Sequence, residues 1–201
     1  MIFCRSLRSE HFYSSVNLVV LVKKIVMGKV ALFIATSIDG YIAKPGDNLD
    51  FLKTVEKEGE DYGYSAFIEG MDVLLIGRKT YDFVVREIGA EHYGSKDVYV
   101  VSRTPRPARG RTVFIDGDLA AFVRELKTRK NIYCDGGAEV INTLLMNDLI
   151  DEMTVSVVPV VLGEGVRLFQ TGIGESEWDL IASAAFDTGL VQMTWHKKKG
   201  K

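Results

Sequence analysis

Apolar residues run almost unbroken from Lys29 to Ser37 (KVALFIATS), which predicts a strand buried on both faces of a sheet. Turn residues follow at Asp39-Gly40, then a short YIAK segment and a breaker cluster, Pro45-Gly46-Asp47-Asn48. Residues 60–69 (EDYGYSAFIE) read as a helix and 72–76 as a second buried strand, after which Gly77-Arg78-Lys79-Thr80 opens another helix. VYVVS (98–102) and TVFI (112–115) read as strands, and Asp118 as the N-cap of the helix LAAFVRELKTR. NIYC (131–134) is a strand ending at Asp135-Gly136-Gly137, and AEVINTLLM (138–146) the next helix. A long strand over 152–161, a turn at Gly163-Glu164-Gly165, and two strands, 178–187 and 190–196, close the pattern.

Strands alternating with helices at short spacing imply an α/β domain with a mostly parallel central sheet. The last two strands are joined by so short a turn that they must be antiparallel, so the sheet is mixed. No repeat or linker divides residues 27–196, and one domain over 27–201 is expected.

Composition restricts the function. The chain has 201 residues and a net charge of −2, without the basic excess of a nucleic-acid binder. That near-neutrality is a sum of unlike parts, since residues 1–26 carry four basic groups and one acid, whereas 27–201 carry 21 basic and 26 acidic groups. The first segment resembles a secretory signal only poorly. Its apolar run, Val16 to Val22, is interrupted by Asn17, ends at Lys23-Lys24, and lacks a small-x-small site. It is also shorter than the ~20 apolar residues of a membrane span. Residues 1–26 are therefore expected to be an extension outside the fold, and a chain beginning at Met27 to fold and bind ligand. Cys4 and Cys134 cannot form a disulfide framework or a four-cysteine zinc site, and their scarcity fits a reducing, cytoplasmic compartment.

In open α/β sheets, ligands sit at the carboxyl ends of strands, where helix N-termini present free N–H groups to anions. Gly77-Arg78-Lys79-Thr80 has that form. Cations at a helix N-terminus oppose the macrodipole, and a bound phosphate would give them a reason to be there; a solvated basic turn is the alternative. Gly136-Gly137 has it too, because paired glycines admit positive φ and close approach of a ligand, although a turn without side chains would look the same. With Ser102-Arg103 at a third strand end, the pattern suits an extended anion such as a dinucleotide. No G-x-G-x-x-G, Walker loop or G-x-S-x-G occurs. His11, His92 and His196 lack metal-ligand spacing, no metal is expected, and Cys134 reads as a buried small hydrophobe.

Taken in order, ATSIDGYIA (35–43), LDFL (49–52), IGRKTYD (76–82), VSRT (101–104), DGGAEVI (135–141), VPVVLGEGVRLF (158–169) and FDTGLV (186–191) resemble one known family. It is the dihydrofolate-reductase-like domain at the C-terminus of the bifunctional riboflavin-biosynthesis deaminase-reductase, in its stand-alone bacterial form. The deaminase signatures H-x-E and P-C-x-x-C are absent.

The resemblance implies a dihydrofolate-reductase-like three-layer fold, NADPH as cofactor, and a cytoplasmic homodimer acting on a small heterocyclic substrate. Gly77, Arg78, Lys79 and Thr80 would take the adenosine-side phosphates, with Ser102 and Arg103 near the 2′-phosphate. Gly136, Gly137, Ala138, Glu139 and Val140 would pass under the pyrophosphate, and Ala35 and Ala43 would border the nicotinamide. Asp135, Phe51 and Arg167 are the expected substrate contacts, Arg167 having a solvated loop residue as its alternative. Asp135 or Asp50 would hold the proton for the reduced nitrogen, and Asp39 would close its own turn. Dihydrofolate reductases carry a carboxylate near the position of Asn48, which disfavours strict folate reduction. The implied reaction is hydride transfer to a pteridine- or pyrimidine-like ring, as in 5-amino-6-(5-phosphoribosylamino)uracil reductase. A non-catalytic nucleotide-binding module is the rival reading.

Overall fold

The computed structural model describes residues 27–198. Eight strands form one sheet in the order β5-β4-β3-β6-β1-β7-β10-β9. They are β1 (Val30–Ser37), β3 (Val73–Gly77), β4 (Asp97–Val101), β5 (Thr112–Ile115), β6 (Ile132–Gly136), β7 (Glu152–Val158), β9 (Trp178–Ala185) and β10 (Val191–Lys197). The pairs from β5 through β7 are parallel, and β10 joins β7 and β9 antiparallel. A two-stranded ribbon of β2 (Tyr41–Ala43) and β8 (Val166–Arg167) stands apart from the sheet. The helices are α1 (Tyr64–Glu69), α2 (Arg78–Glu87), α3 (Leu119–Lys127) and α4 (Ala138–Met146).

Alternation along the strands sorts side chains into two cores. On one face Val30 and Leu32 of β1, Ile132 and Cys134 of β6, and Val73 and Leu75 of β3 pack under Val123 of α3 and Ile141 and Leu144 of α4. On the other, Ala31, Tyr133, Leu74 and Ile76 meet Tyr81 and Val84 of α2, with Phe67 of α1 alongside. This is the expected three-layer α/β fold with a mixed, mostly parallel sheet.

Three boundaries differ from the sequence reading. Helix α1 starts at Tyr64, because Tyr62 and Gly63 have φ of 55° and 83° and cannot continue a helix. β7 ends at Val158, where Pro159 has no N–H for the ladder. The YIA segment and Val166-Arg167, which carry no strand pattern of useful length, pair with one another as β2 and β8. The expectations for residues 1–26 lie outside the described residues.

Candidate active site

The sheet order makes neighbours of the three strand ends that the sequence singled out. β4, β3 and β6 are consecutive, so Ser102-Arg103, Gly77-Arg78 and Gly136-Gly137 line one edge. β1 continues the row: its last pairing with β6 is Leu32 with Cys134, and it runs on to Ala35 and Ser37 beside β7.

Glycine is required where the row is tightest. A Cβ on Gly77 would lie 3.4 Å from the Gly137 amide nitrogen, and one on Gly137 would lie 2.9 Å from Oγ1 of Thr80. Gly136 has φ of 107°, a backbone state that glycine adopts without strain. Gly77 and Gly137 are the N-caps of α2 and α4, and neither helix has a side-chain cap. By contrast, α3 is capped by Asp118, which accepts from the Ala121 amide at 3.0 Å. The two uncapped N-termini present backbone donors at neighbouring strand ends, which is the requirement for holding phosphates.

Arg78 and Lys79 lie in the first turn of α2, and Thr80 faces the glycine pair. Ala138 and Val140 are buried, while Glu139 is exposed and meets the almost fully exposed Arg103 at only 3.6 Å. Ser102 is buried, its hydroxyl donating to the Thr104 carbonyl at 2.8 Å. Ala43 is buried on the ribbon, where β8 approaches so closely that a Cβ on Gly165 would lie 2.1 Å from the Ala43 carbonyl oxygen. Asp39 does more than close its own turn. It accepts from the amides of Leu162 and Gly163 at 3.0 and 2.7 Å and from the Ser37 hydroxyl at 2.6 Å. Those bonds, the Ser37 hydroxyl first, lower its pKa to about 2 and tie the β1–β2 turn to the loop before β8.

The two acids proposed to hold a proton have opposite environments. Asp50 opens a 3-10 turn (Asp50–Val55), is half exposed, and pairs with Lys44 Nζ at 2.6 Å. That bond lowers its pKa, so Asp50 is ionised. Asp135 points to the same face as Tyr133, two residues earlier on β6. Its Oδ1 accepts from the Tyr133 hydroxyl at 2.7 Å and its Oδ2 lies 3.5 Å from the hydroxyl of Tyr93. Both partners are phenols, and burial raises the Asp135 pKa against the opposing pull of the Tyr133 bond and the charge of His92. Phe33, Tyr64 and Phe67 complete an aromatic enclosure, with Phe67 edge-on to Tyr133 at 5.0 Å and Tyr64 stacked on His92 at 6.4 Å. Tyr64 is itself pushed up to about 12, first by burial and then by Asp135.

The sequence reading missed this enclosure. The Tyr133–Asp135 spacing of two was a usable signal on a strand, but nothing local connects His92 and Tyr93 with it. Two other expected substrate residues have packing partners of their own. Phe51 is 3% exposed and packs with Val55, Val158 and Leu190, so it serves the core rather than the surface of a pocket. Arg167 is held on the ribbon, its guanidinium 4.6 Å above the Tyr41 ring. Cys134 faces the opposite core, and burial pushes its thiol up to about 12, which leaves it an un-ionised, inert side chain.

A cleft of about 720 Å³ opens beside the row, between Asn48, Asp50 and Lys53 on one wall and Arg78, Lys79 and Phe83 on the other. Among the described residues, no group of three or more His, Cys, Asp or Glu is placed to hold a metal ion. Nor is any helix among them long and apolar enough to cross a membrane.

The family model of the RibD C-terminal domain matches residues 28–192. The chain belongs to that family. The uncharacterized protein YwjB of Bacillus subtilis (strain 168) is 38% identical over 161 residues, 79% of this chain and 92% of its own. A solved structure from Shewanella sp. PV-4, described as a candidate riboflavin biosynthesis protein, is 34% identical and superposes with a TM-score of 0.78, covering 85% of this chain and 99% of its own. Dihydrofolate reductase from Enterococcus faecalis, solved with NADP(H) and RAB-propyl, gives a TM-score of 0.63 at 15% identity, covering 86% of this chain and 98% of its own, a likeness of fold. The chain thus has the dihydrofolate-reductase-like fold.

Proposed function

We propose that this protein is an NADPH-dependent reductase that passes hydride to a pyrimidine- or pteridine-like heterocycle, resembling the reductase of riboflavin biosynthesis. The reading is carried by one observation: two uncapped helix N-termini, joined by a glycine cradle, stand on neighbouring strand ends beside the enclosed carboxyl group of Asp135. The residues present fit a dinucleotide, because a Cβ at Gly137 would close the space against Thr80 and no helix side chain competes for the N–H donors. When bound, NADPH supplies the hydride. Gly77, Arg78, Lys79 and Thr80, with Gly136 to Val140, hold the phosphates, and Ala35 and Ala43 border the ring end. Asp135, rather than the ionised Asp50, holds the proton that the reduced nitrogen receives, and Tyr133 orients it. The aromatic side chains packed beside Asp135 keep water from its carboxyl group.

Calorimetric titration with NADPH and NADH tests the cofactor, and NADPH oxidation with a ribosylaminopyrimidine or with dihydrofolate tests the substrate. Failure of both dinucleotides to bind between micromolar and millimolar concentration refutes the reading. Binding without oxidation of any such substrate would favour the non-catalytic module. The homodimer implied by the family has a surface available: β9 is exposed along its length, with Leu180 and Ile181 outward, next to an apolar hollow lined by Trp178, Met193 and Trp195. Light scattering that shows a monomer at micromolar concentration would remove that part of the proposal.

A further inference from the structure

Thr36 follows Ala35 on β1 and so points to the opposite face of the sheet, with Val30, Leu32 and Ile34. Helices α3 and α4 pack over the β3, β6 and β1 part of that face. Toward β7 and β10 the helical layer gives way to a hollow of about 380 Å³, which Thr36 lines together with Met153, Phe169, Trp178, Met193 and Trp195. None of the residues lining it carries a charge.

Its walls are fixed by polar contacts behind them. Asn142 on α4, 2% exposed, donates to the Leu168 carbonyl at 2.8 Å and accepts from the Gln170 amide at 2.9 Å. The backbone of Phe169 is therefore held from both sides, although its ring stands half exposed at the rim. Trp178 donates through Nε1 to the Ser176 hydroxyl at 3.0 Å, and Nζ of Lys197 lies 5.8 Å from its ring centre. Thr36 itself is 4% exposed, and its hydroxyl makes no hydrogen bond to any described residue. Among the described residues no fully enclosed side-chain nitrogen or oxygen lacks a partner, so this oxygen opens onto the hollow. A hydroxyl among apolar walls is costly unless something in the hollow meets it.

Size and lining together specify the occupant. Ligand pockets span roughly 300–1,000 Å³, and this one, at the lower end, takes one or two rings but not a helix or strand of a partner. Indole and phenyl side chains offer faces and edges to another ring, and two thioethers adapt to its outline. With no charge in the lining, an ionic ligand would enter unpaired. We infer that the hollow is a second binding site, for a small neutral aromatic molecule of one or two fused rings whose single hydrogen-bonding group meets the Thr36 hydroxyl. The site is independent of the cofactor reading, because Thr36 and Ala35 face opposite sides of the sheet.

The chain has two tryptophans, and both line the hollow. Their indole N–H signals in heteronuclear NMR spectra of the full chain therefore report on this site alone. Indole and 1-methylindole, taken to millimolar concentration, are titrated into the wild type, Thr36→Val and Val157→Phe, each variant first shown to melt like the wild type. In the wild type both signals should shift and saturate with either probe. Thr36→Val keeps the side-chain shape and removes the hydroxyl. It should weaken indole by about two- to tenfold and leave 1-methylindole, which has no N–H to donate, within about twofold. Val157 also lines the hollow, so Val157→Phe places a ring there and should abolish saturable binding of both probes. Wild-type signals that stay in place, or that move without saturating, overturn the site, and that result requires no variant to fold. Equal loss of both probes with Thr36→Val overturns the role given to its hydroxyl. Failure of the dinucleotides to bind would refute the proposed function and leave these outcomes untouched.

Discussion

Gly165→Ala tests whether the ribbon sets the ring end of the site. Gly165 has φ of 138°, and an added Cβ would lie 2.1 Å from the Ala43 carbonyl oxygen and 3.1 Å from its carbon. The backbone state costs on the order of 1–3 kcal/mol for a residue with a side chain. The overlap is with main chain, not with a movable side-chain tip, so β8 must part from β2, and overpacking of this kind adds about 1–3 kcal/mol. The sum is a large part of the roughly 5–15 kcal/mol that holds a domain folded. At about 2–4 °C per kcal/mol for a chain of this size, Tm should fall by about 4–24 °C. Gly174→Ala is the control, since its Cβ would meet nothing within 4 Å. It should move stability by less than about 1 kcal/mol. Differential scanning fluorimetry measures both, and NADPH titration below the melting range should show weaker binding for Gly165→Ala because Ala43 is displaced. If the two variants melt within about 2 °C of each other, the close approach of Gly165 to Ala43 does not govern the ribbon.

Three further outcomes follow from the same structure. The raised pKa of Asp135 means that the folded state holds this proton more tightly than the unfolded chain does, so its contribution to stability declines as pH rises through the folded value. Asp135→Asn should remove that decline and melt higher than wild type at neutral pH but not in acid; urea melts across pH check this, and parallel curves would refute it. Asp39 is the opposite case: its folded pKa of about 2 gives stability that is present above the ordinary aspartate value near 4 and is lost as pH falls toward 2. Asp39→Asn should therefore cost stability at pH 7 and flatten the acid limb of the profile, and an unchanged limb would contradict the three bonds it accepts. Asp118→Ala removes the one side-chain cap of α3 and should cost about 1 kcal/mol, read as a Tm loss of about 2–4 °C, with no change in dinucleotide affinity.

Much of the fold was legible because its signals are local. KVALFIATS must be buried on both faces whatever it packs against, and Asp118 caps α3 through an amide three residues away. Strand ends followed by helix starts likewise marked Gly77-Arg78 and Gly136-Gly137 without reference to the rest of the chain. Boundaries that depended on left-handed residues, as at Tyr62 and Gly63, or on pairing between distant short segments, as in β2 and β8, were not legible.

The sequence alone determined the layer pattern, the two glycine-bearing strand ends and the family. It did not determine which groups would meet at those ends, because strand order is set by the packing of both sheet faces against helices rather than by position in the chain. Only the tertiary structure put β4, β3 and β6 side by side, enclosed Asp135 between Tyr133 and Tyr93, and left Asp50 ionised beside Lys44. It likewise joined Arg106 to Arg78 through Asp82, which lies 24 residues before Arg106 on the other side of a strand. Burial and charge at a site depend on contacts between remote segments, and those exist only once the sheet has closed.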